Sequence, residues 1–116
     1  MTKKRIAELY RFLSVASMKR MNEDEKVAFI RLLRTMKPVF IEVQTAMNDA
    51  VEKANKDCES QADVMALVNR AMEDIWKEDC AIIAKTMTAD AFERLCLSND
   101  WNFAMIDEIE QELVTS

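Results

Sequence analysis

Apolar residues recur every three or four positions through the middle of the chain, which is the spacing of one face of an α-helix. The stripe runs for about 26 residues without a slip and crosses Pro38. Its members are Phe29, Leu33, Met36, Phe40, Val43, Met47, Ala50 and Ala54. Proline disrupts a helix interior because it lacks an N–H and clashes with the carbonyl four residues earlier. Since the phase is the same on both sides, we nevertheless predict one helix from about 23 to 56, kinked at Pro38.

The N-terminal half of the chain contains the signals for a first helix and for a helical hairpin. Residues 3 to 20 carry a separate apolar face, which predicts the first helix. Asn22 followed by Glu25 resembles a capping box and marks the start of the long helix. Ser60 is a plausible N-cap for a third helix from about 61 to 77, whose apolar face completes a hairpin with the long helix. That face comprises Val64, Leu67, Val68, Ala71, Met72, Ile75 and Trp76.

The C-terminal part is predicted to hold an extended connector and two short helices. Residues 78 to 88 include two threonines, which are poor residues in a helix interior, so we expect an extended linker. Thr88 then caps a short helix from 89 to 97, with Ala91, Phe92 and Leu95 facing inward. The last helix should cover residues 101 to 114. Its buried residues are expected to be Trp101, Met105, Ile109 and Leu113, or a neighbouring phase through Ile106.

The composition agrees with these helices. The 116 residues include no glycine and one proline, whereas the tight turns of β-hairpins usually need glycine at positive φ. We therefore predict an all-α fold, a small helical bundle in a single domain spanning residues 1–116. Half of the residues are apolar, which is enough for a core.

The cysteines and the N-terminal sequence indicate the cellular compartment in which the protein is expected. Cys58, Cys80 and Cys96 are an odd number at wide spacings, which favours small buried hydrophobes in a reducing compartment over a disulfide framework. The N-terminus lacks the uninterrupted apolar segment of a signal peptide, and no apolar run approaches the length of a membrane span. We therefore expect a cytoplasmic protein.

Charge is distributed unevenly along the chain. Ten basic and four acidic residues occur up to Lys37, and six basic and seventeen acidic residues follow it, although the net charge is only −5. Such polarity could provide a basic face for nucleic acid. It could also let the two portions attract each other, within the fold or between subunits, and we favour this second interpretation.

The residues needed for several kinds of chemistry are missing. Glycine-rich phosphate loops cannot be built without glycine. The absence of histidine removes catalytic triads and the Glu-x-x-His motifs of di-iron bundles. A C-terminal helix-turn-helix is disfavoured because the last helix is acidic. We expect no enzymatic activity, no metal and no cofactor.

The remaining candidate function is binding through apolar surface. The long stripe offers more area than one hairpin partner and two short helices are expected to cover, so we expect a protein partner or self-association, most simply a two-fold dimer. Recognition would place a helix in a groove beside the long helix. The candidate contacts are Phe29, Met36, Phe40, Val43 and Met47.

The alternative is nucleic-acid binding by the basic N-terminal portion, with salt-sensitive affinity. The candidate residues for this function are Lys3, Lys4, Arg5, Arg11, Lys19 and Arg20.

Three segments of the chain resemble segments of known proteins. They are Glu8-Leu-Tyr-Arg-Phe-Leu-Ser-Val-Ala16, Arg31-Leu-Leu-Arg-Thr-Met-Lys-Pro38 and Ala91-Phe-Glu-Arg-Leu-Cys-Leu-Ser-Asn-Asp-Trp101. Together they resemble small helical proteins of unassigned function from phage and mobile-element gene clusters. The resemblance covers about a quarter of the chain. It carries no catalytic motif and implies a role in phage-type assembly, for instance as a tail assembly chaperone.

Overall fold

The chain folds into helices throughout the residues that the computed structural model describes, 1–80 and 87–114. Five helices occur in these ranges, and no strand accompanies them. The helices are α1 (Lys3–Leu13), α2 (Glu23–Asp57), α3 (Gln61–Lys77), α4 (Ala89–Leu97) and α5 (Phe103–Leu113). This confirms the all-α prediction.

The long helix is continuous across Pro38, as its unbroken apolar phase indicated. It runs from Glu23 to Asp57, about 50 Å at 1.5 Å per residue, close to the longest dimension of the molecule, 51 Å. The capping box is present: the Asn22 side chain accepts from the Glu25 N–H, and the Glu25 carboxylate accepts from the Asn22 N–H. Pro38 is exposed, so its ring adds no bulk to the core.

The first helix is shorter than predicted. It ends at Leu13, and residues 14–22 form a loop that joins it to α2. In this loop the N–H and C=O of Ser17 both bind the Asn99 side chain, at 2.8 and 2.9 Å. A side chain 82 residues away thus replaces the helical hydrogen bonds that the local apolar pattern suggested.

The last helix also differs from its prediction at the N-terminal end. Its N-cap is Asn102, whose side chain accepts from the Met105 N–H, so the helix begins at Phe103. Trp101 lies before the helix, and its ring contacts Phe12 on α1 with centroids 4.9 Å apart. By contrast, α3 and α4 have the predicted bounds and the predicted N-caps, Ser60 and Thr88.

Two clusters of buried residues hold the helices together. The larger lies between α1, the N-terminal half of α2, α4 and α5, and its most deeply buried residues are Ile6, Leu9, Leu13, Phe29, Met36, Leu95 and Leu113. The smaller joins α1 to the α2–α3 hairpin, with Ala7, Val43, Ala54, Val68 and Met72 buried. The part of the hairpin distant from α1 therefore consists of two helices with no third layer over them in the described structure.

Short extended segments flank the predicted linker. The N-terminal segment pairs in antiparallel fashion with residues 78–80, through Lys3 N–H to Glu78 O and Cys80 N–H to Met1 O. Met87 pairs in parallel with Val114. The ends of the predicted linker over 78–88 are thus extended, and residues 81–86 lie outside the described part. Within the described ranges, no helix is both long and apolar enough to cross a bilayer.

Candidate partner-binding groove

An open groove lies where α1, α2 and α3 meet, and we call it the central groove. It encloses about 150 Å³. Its lining residues are Lys4, Ala7, Glu8, Arg11, Phe40, Val43, Gln44, Met47 and Trp76. Helical spacing explains this arrangement. Phe40 and Met47 lie two turns apart on α2, and Lys4 and Arg11 lie two turns apart on α1.

The floor of the central groove is apolar. Phe40, Met47 and Trp76 are half-buried and pack against the smaller core cluster. The Phe40 ring is held by Tyr10 on α1, with centroids 4.8 Å apart. Three large apolar side chains are therefore fixed in position by the fold and still reach solvent.

The rim of the central groove carries two cations that have no carboxylate partner among the described residues. The Lys4 ammonium lies 5.0 Å from the centroid of the Trp76 ring, a cation–π distance. Arg11 is exposed and makes no ion pair within the described part of the chain. Glu8 lies between them, and its Oε2 forms an ion pair with Nη1 of Arg5 at 3.4 Å. The rim thus keeps positive charge available to a partner.

The five predicted contacts divide between core and groove. Phe29 and Met36 are at most 1% exposed in the larger core cluster, and Val43 is buried in the smaller one. Phe29 and Met36 are not accessible to a partner in this fold because α1, α4 and α5 cover the N-terminal half of the stripe. Val43 lines the central groove but is only 6% exposed there. Phe40 and Met47 line the central groove.

Trp76 and Arg11 complete the central groove, and sequence reasoning did not assign them to it. The signal for Trp76 was its place on the apolar face of α3. The signal for Arg11 was its spacing of seven from Lys4, which placed both on one face of α1.

The six basic residues of the nucleic-acid alternative do not form one free surface. Lys3 binds Glu42 at 2.8 Å and Glu78 at 3.1 Å, and these hydrogen bonds raise the pKa of the lysine above its ordinary value. Arg5 binds Glu112 at 2.8 Å and Glu108 at 3.0 Å. Lys4 and Arg11 belong to the central groove. Lys19 and Arg20 lie exposed in the loop between α1 and α2.

A larger cavity of 210 Å³ lies between the start of α2 and α4. Its apolar walls are core residues, among them Phe29 and Leu32, and Asp24 and Glu25 lie at its edge. Met87, another wall residue, directly follows the six residues outside the described part. The central groove instead presents half-buried Phe40, Met47 and Trp76, so it is the better candidate for recognition.

The described residues contain no group of three or more acidic or cysteine side chains placed to hold a metal ion. The three cysteines are half-buried free thiols, so they are more exposed than the sequence analysis expected. Burial raises the pKa of the Cys96 thiol, and the negative charges of Glu110 and Glu93 raise it further.

Comparison with known proteins gives no relative for this chain. No protein-family model matches it, and neither the curated proteins nor the solved structures contain a match.

Proposed function

We propose that this protein is a non-enzymatic helical interaction module whose central groove binds an amphipathic helix of a partner protein. One observation carries the proposal: Phe40, Met47 and Trp76 converge from two helices on an open cavity instead of closing into the core. A groove between helices with anchored apolar side chains is the usual receptor for the apolar face of a third helix.

The charge at the rim indicates the chemistry of the partner. Lys4 and Arg11 leave two positive charges beside the apolar floor. A partner helix with acidic residues flanking its apolar face would pair with both, and opposite charges at a rim favour correct partners and faster association. We therefore propose an acidic amphipathic helix as the ligand.

An assembly role agrees with this proposal. The resemblance to small helical proteins of phage-type gene clusters supports a tail-assembly-chaperone-like function, in which a helical segment of a structural protein is held until it is incorporated. The free thiols of Cys58, Cys80 and Cys96 favour a reducing compartment, so we place this activity in the cytoplasm.

Selection from a displayed library of helical peptides tests the proposed function. The purified protein should enrich amphipathic sequences with acidic flanks. Arg11→Glu should weaken their binding because it reverses the charge of an exposed rim residue. Met47→Glu should abolish binding by placing a charge on the apolar floor.

A matched substitution controls for nonspecific effects of the new charge. Met65 is 60% exposed on α3 and does not line the central groove, so Met65→Glu should leave binding unchanged. Failure to enrich any acidic amphipathic sequence would contradict the proposal, as would equal binding by Met47→Glu and Met65→Glu.

A further inference from the structure

The ion pairs within the chain neutralise only part of its uneven charge. Arg5 on α1 binds Glu108 and Glu112 on α5, and Arg94 on α4 binds Glu25 on α2. In the described structure, most of the unpaired basic residues lie in the loop after α1 and the first half of α2, and four of the unpaired acidic residues lie on α4 and α5.

The basic surface is a stripe along the outward side of α2, which we call the basic stripe. It consists of Val27, Arg31, Arg34, Lys37 and Ile41. Successive members are three or four residues apart, so they share one face over about 21 Å of helix. Val27 is 48% exposed and Ile41 is 51% exposed. The three cations between them make no ion pair in the described structure.

The acidic surface lies on the outward sides of α4 and α5, and we call it the acidic face. Its members are Asp90, Glu93, Leu97, Phe103, Asp107 and Glu110. Leu97 is 65% exposed and Phe103 is 81% exposed. The four carboxylates make no ion pair within the described ranges, although Asp107 accepts a hydrogen bond from Gln111. Both helices pack on the larger core cluster, through Leu95 of α4 and Ile109 of α5, so these exposed residues lie on the sides turned away from that cluster.

We propose that the basic stripe of one copy of this protein docks on the acidic face of a second copy. Each surface combines exposed apolar side chains with charges of a single sign, and the two signs are opposite. The apolar residues can supply contact area, and the charges can supply orientation and a faster encounter. A two-fold dimer would form this contact twice, and a head-to-tail assembly would form it once at each junction.

Nucleic acid fits the basic stripe less well. The stripe contains no aromatic side chain on which a base could stack. The stripe contains only three cations, and its two ends, Val27 and Ile41, are apolar. The same chain also displays a surface of the opposite charge, which a nucleic-acid ligand would leave unpartnered.

Two charge-reversed variants of the full chain test the proposal. Arg31→Glu/Arg34→Glu alters the basic stripe, and Asp107→Lys/Glu110→Lys alters the acidic face. All four residues are exposed and make no ion pair with any residue that the structure describes, so circular dichroism should show unchanged helix content. Light scattering should show self-association of the wild type above its 13.4 kDa monomer mass. Each variant alone should associate roughly tenfold or more weakly.

Mixing the two variants gives the sharpest outcome. One variant retains a normal acidic face and the other a normal basic stripe, so the mixture should form a heteromer that neither variant forms alone. Association should weaken between about 0.1 M and 1 M salt, as the screening length falls from about 10 Å to 3 Å. Lys53→Glu/Arg70→Glu makes the same charge change outside the stripe and should associate like the wild type.

Several results would overturn the proposal. One is a wild type that stays at monomer mass at low salt and high concentration. Another is a mixture of the two variants that stays monomeric, or a Lys53→Glu/Arg70→Glu control that loses association equally. Binding of a DNA duplex that is lost only in Arg31→Glu/Arg34→Glu, without self-association of the wild type, would assign the basic stripe to nucleic acid instead.

Discussion

Arg94 on α4 donates three hydrogen bonds of 2.6 to 3.0 Å to the carboxylate of Glu25 at the start of α2. The same carboxylate accepts from the Asn22 N–H in the capping box, at 2.9 Å. These hydrogen bonds lower the pKa of Glu25, and those from Arg94 have the largest effect. One side chain thus fixes the first turn of α2 and joins it to α4, next to the larger core cluster.

Removing the charge of Glu25 should destabilise the fold. Glu25→Gln should lower the midpoint of thermal unfolding because the cap loses strength and Arg94 loses its partner. Glu23→Gln is the matched control, since Glu23 lies in the same turn and makes no ion pair in the described structure. A double-mutant cycle with Arg94→Gln should show positive coupling between Glu25 and Arg94. Equal midpoints for Glu25→Gln and Glu23→Gln would contradict the assignment.

Stability should fall in acid. A carboxyl whose pKa is lowered in the folded state contributes stability above its ordinary value, 4.5 for Glu25, and this contribution is lost as the pH falls through the folded-state pKa. Glu73 beside Lys77 and Asp79 beside the N-terminal amine have lowered pKa values as well. Urea unfolding at several pH values should therefore show a decline below about pH 4.5. The decline should be shallower in Glu25→Gln, and an identical decline in both proteins would refute the role of Glu25.

Two methionines differ in burial and should therefore differ in their contribution to stability. Met36 is fully buried in the larger core cluster, whereas Met65 is mostly exposed. Met36→Ala should lower the free energy of unfolding by about 2 to 5 kcal/mol because it leaves a cavity. Met65→Ala should change it by less than about 0.5 kcal/mol. Chemical denaturation measures both values, and similar losses would show that the helix phase is misassigned.

Pro38 should weaken the helix that contains it. The ring removes the hydrogen bond that residue 38 would donate to the Arg34 carbonyl, and its side chain is exposed. Pro38→Ala should therefore raise the free energy of unfolding, by roughly 1 to 3 kcal/mol. The helix content should stay the same because α2 is already continuous. A destabilised variant would mean that the proline conformation is required by the packing.

Local signals predicted much of the fold. Asn22 with Glu25, Ser60 and Thr88 each place a side-chain oxygen within reach of nearby backbone N–H groups, so they mark helix starts without reference to the rest of the chain. The phase of the apolar stripe similarly predicted that α2 continues past Pro38. The bounds of α2, α3 and α4 agree with those signals to within a residue.

Long-range contacts account for what the sequence did not reveal. Beyond the end of α1, Asn99 binds the backbone of Ser17 from 82 positions away. Which residues of the apolar stripe are buried depends on the helices that cover them. Phe29 and Met36 are buried under α1, α4 and α5, whereas Phe40 and Met47 form part of the floor of the central groove. Helical periodicity identifies a face, but the tertiary arrangement decides whether that face meets the core or a partner.

The emission of Trp76 tests the central claim most directly. Trp76 lies in the central groove, and Trp101 is the only other tryptophan, so Trp101→Phe isolates the signal. This variant would be titrated with a helical peptide that carries leucine along one face and glutamate on both flanks. We predict a saturable change in emission that weakens as salt is added. The absence of a saturable change, or an equal change with lysine replacing each glutamate, would contradict the account.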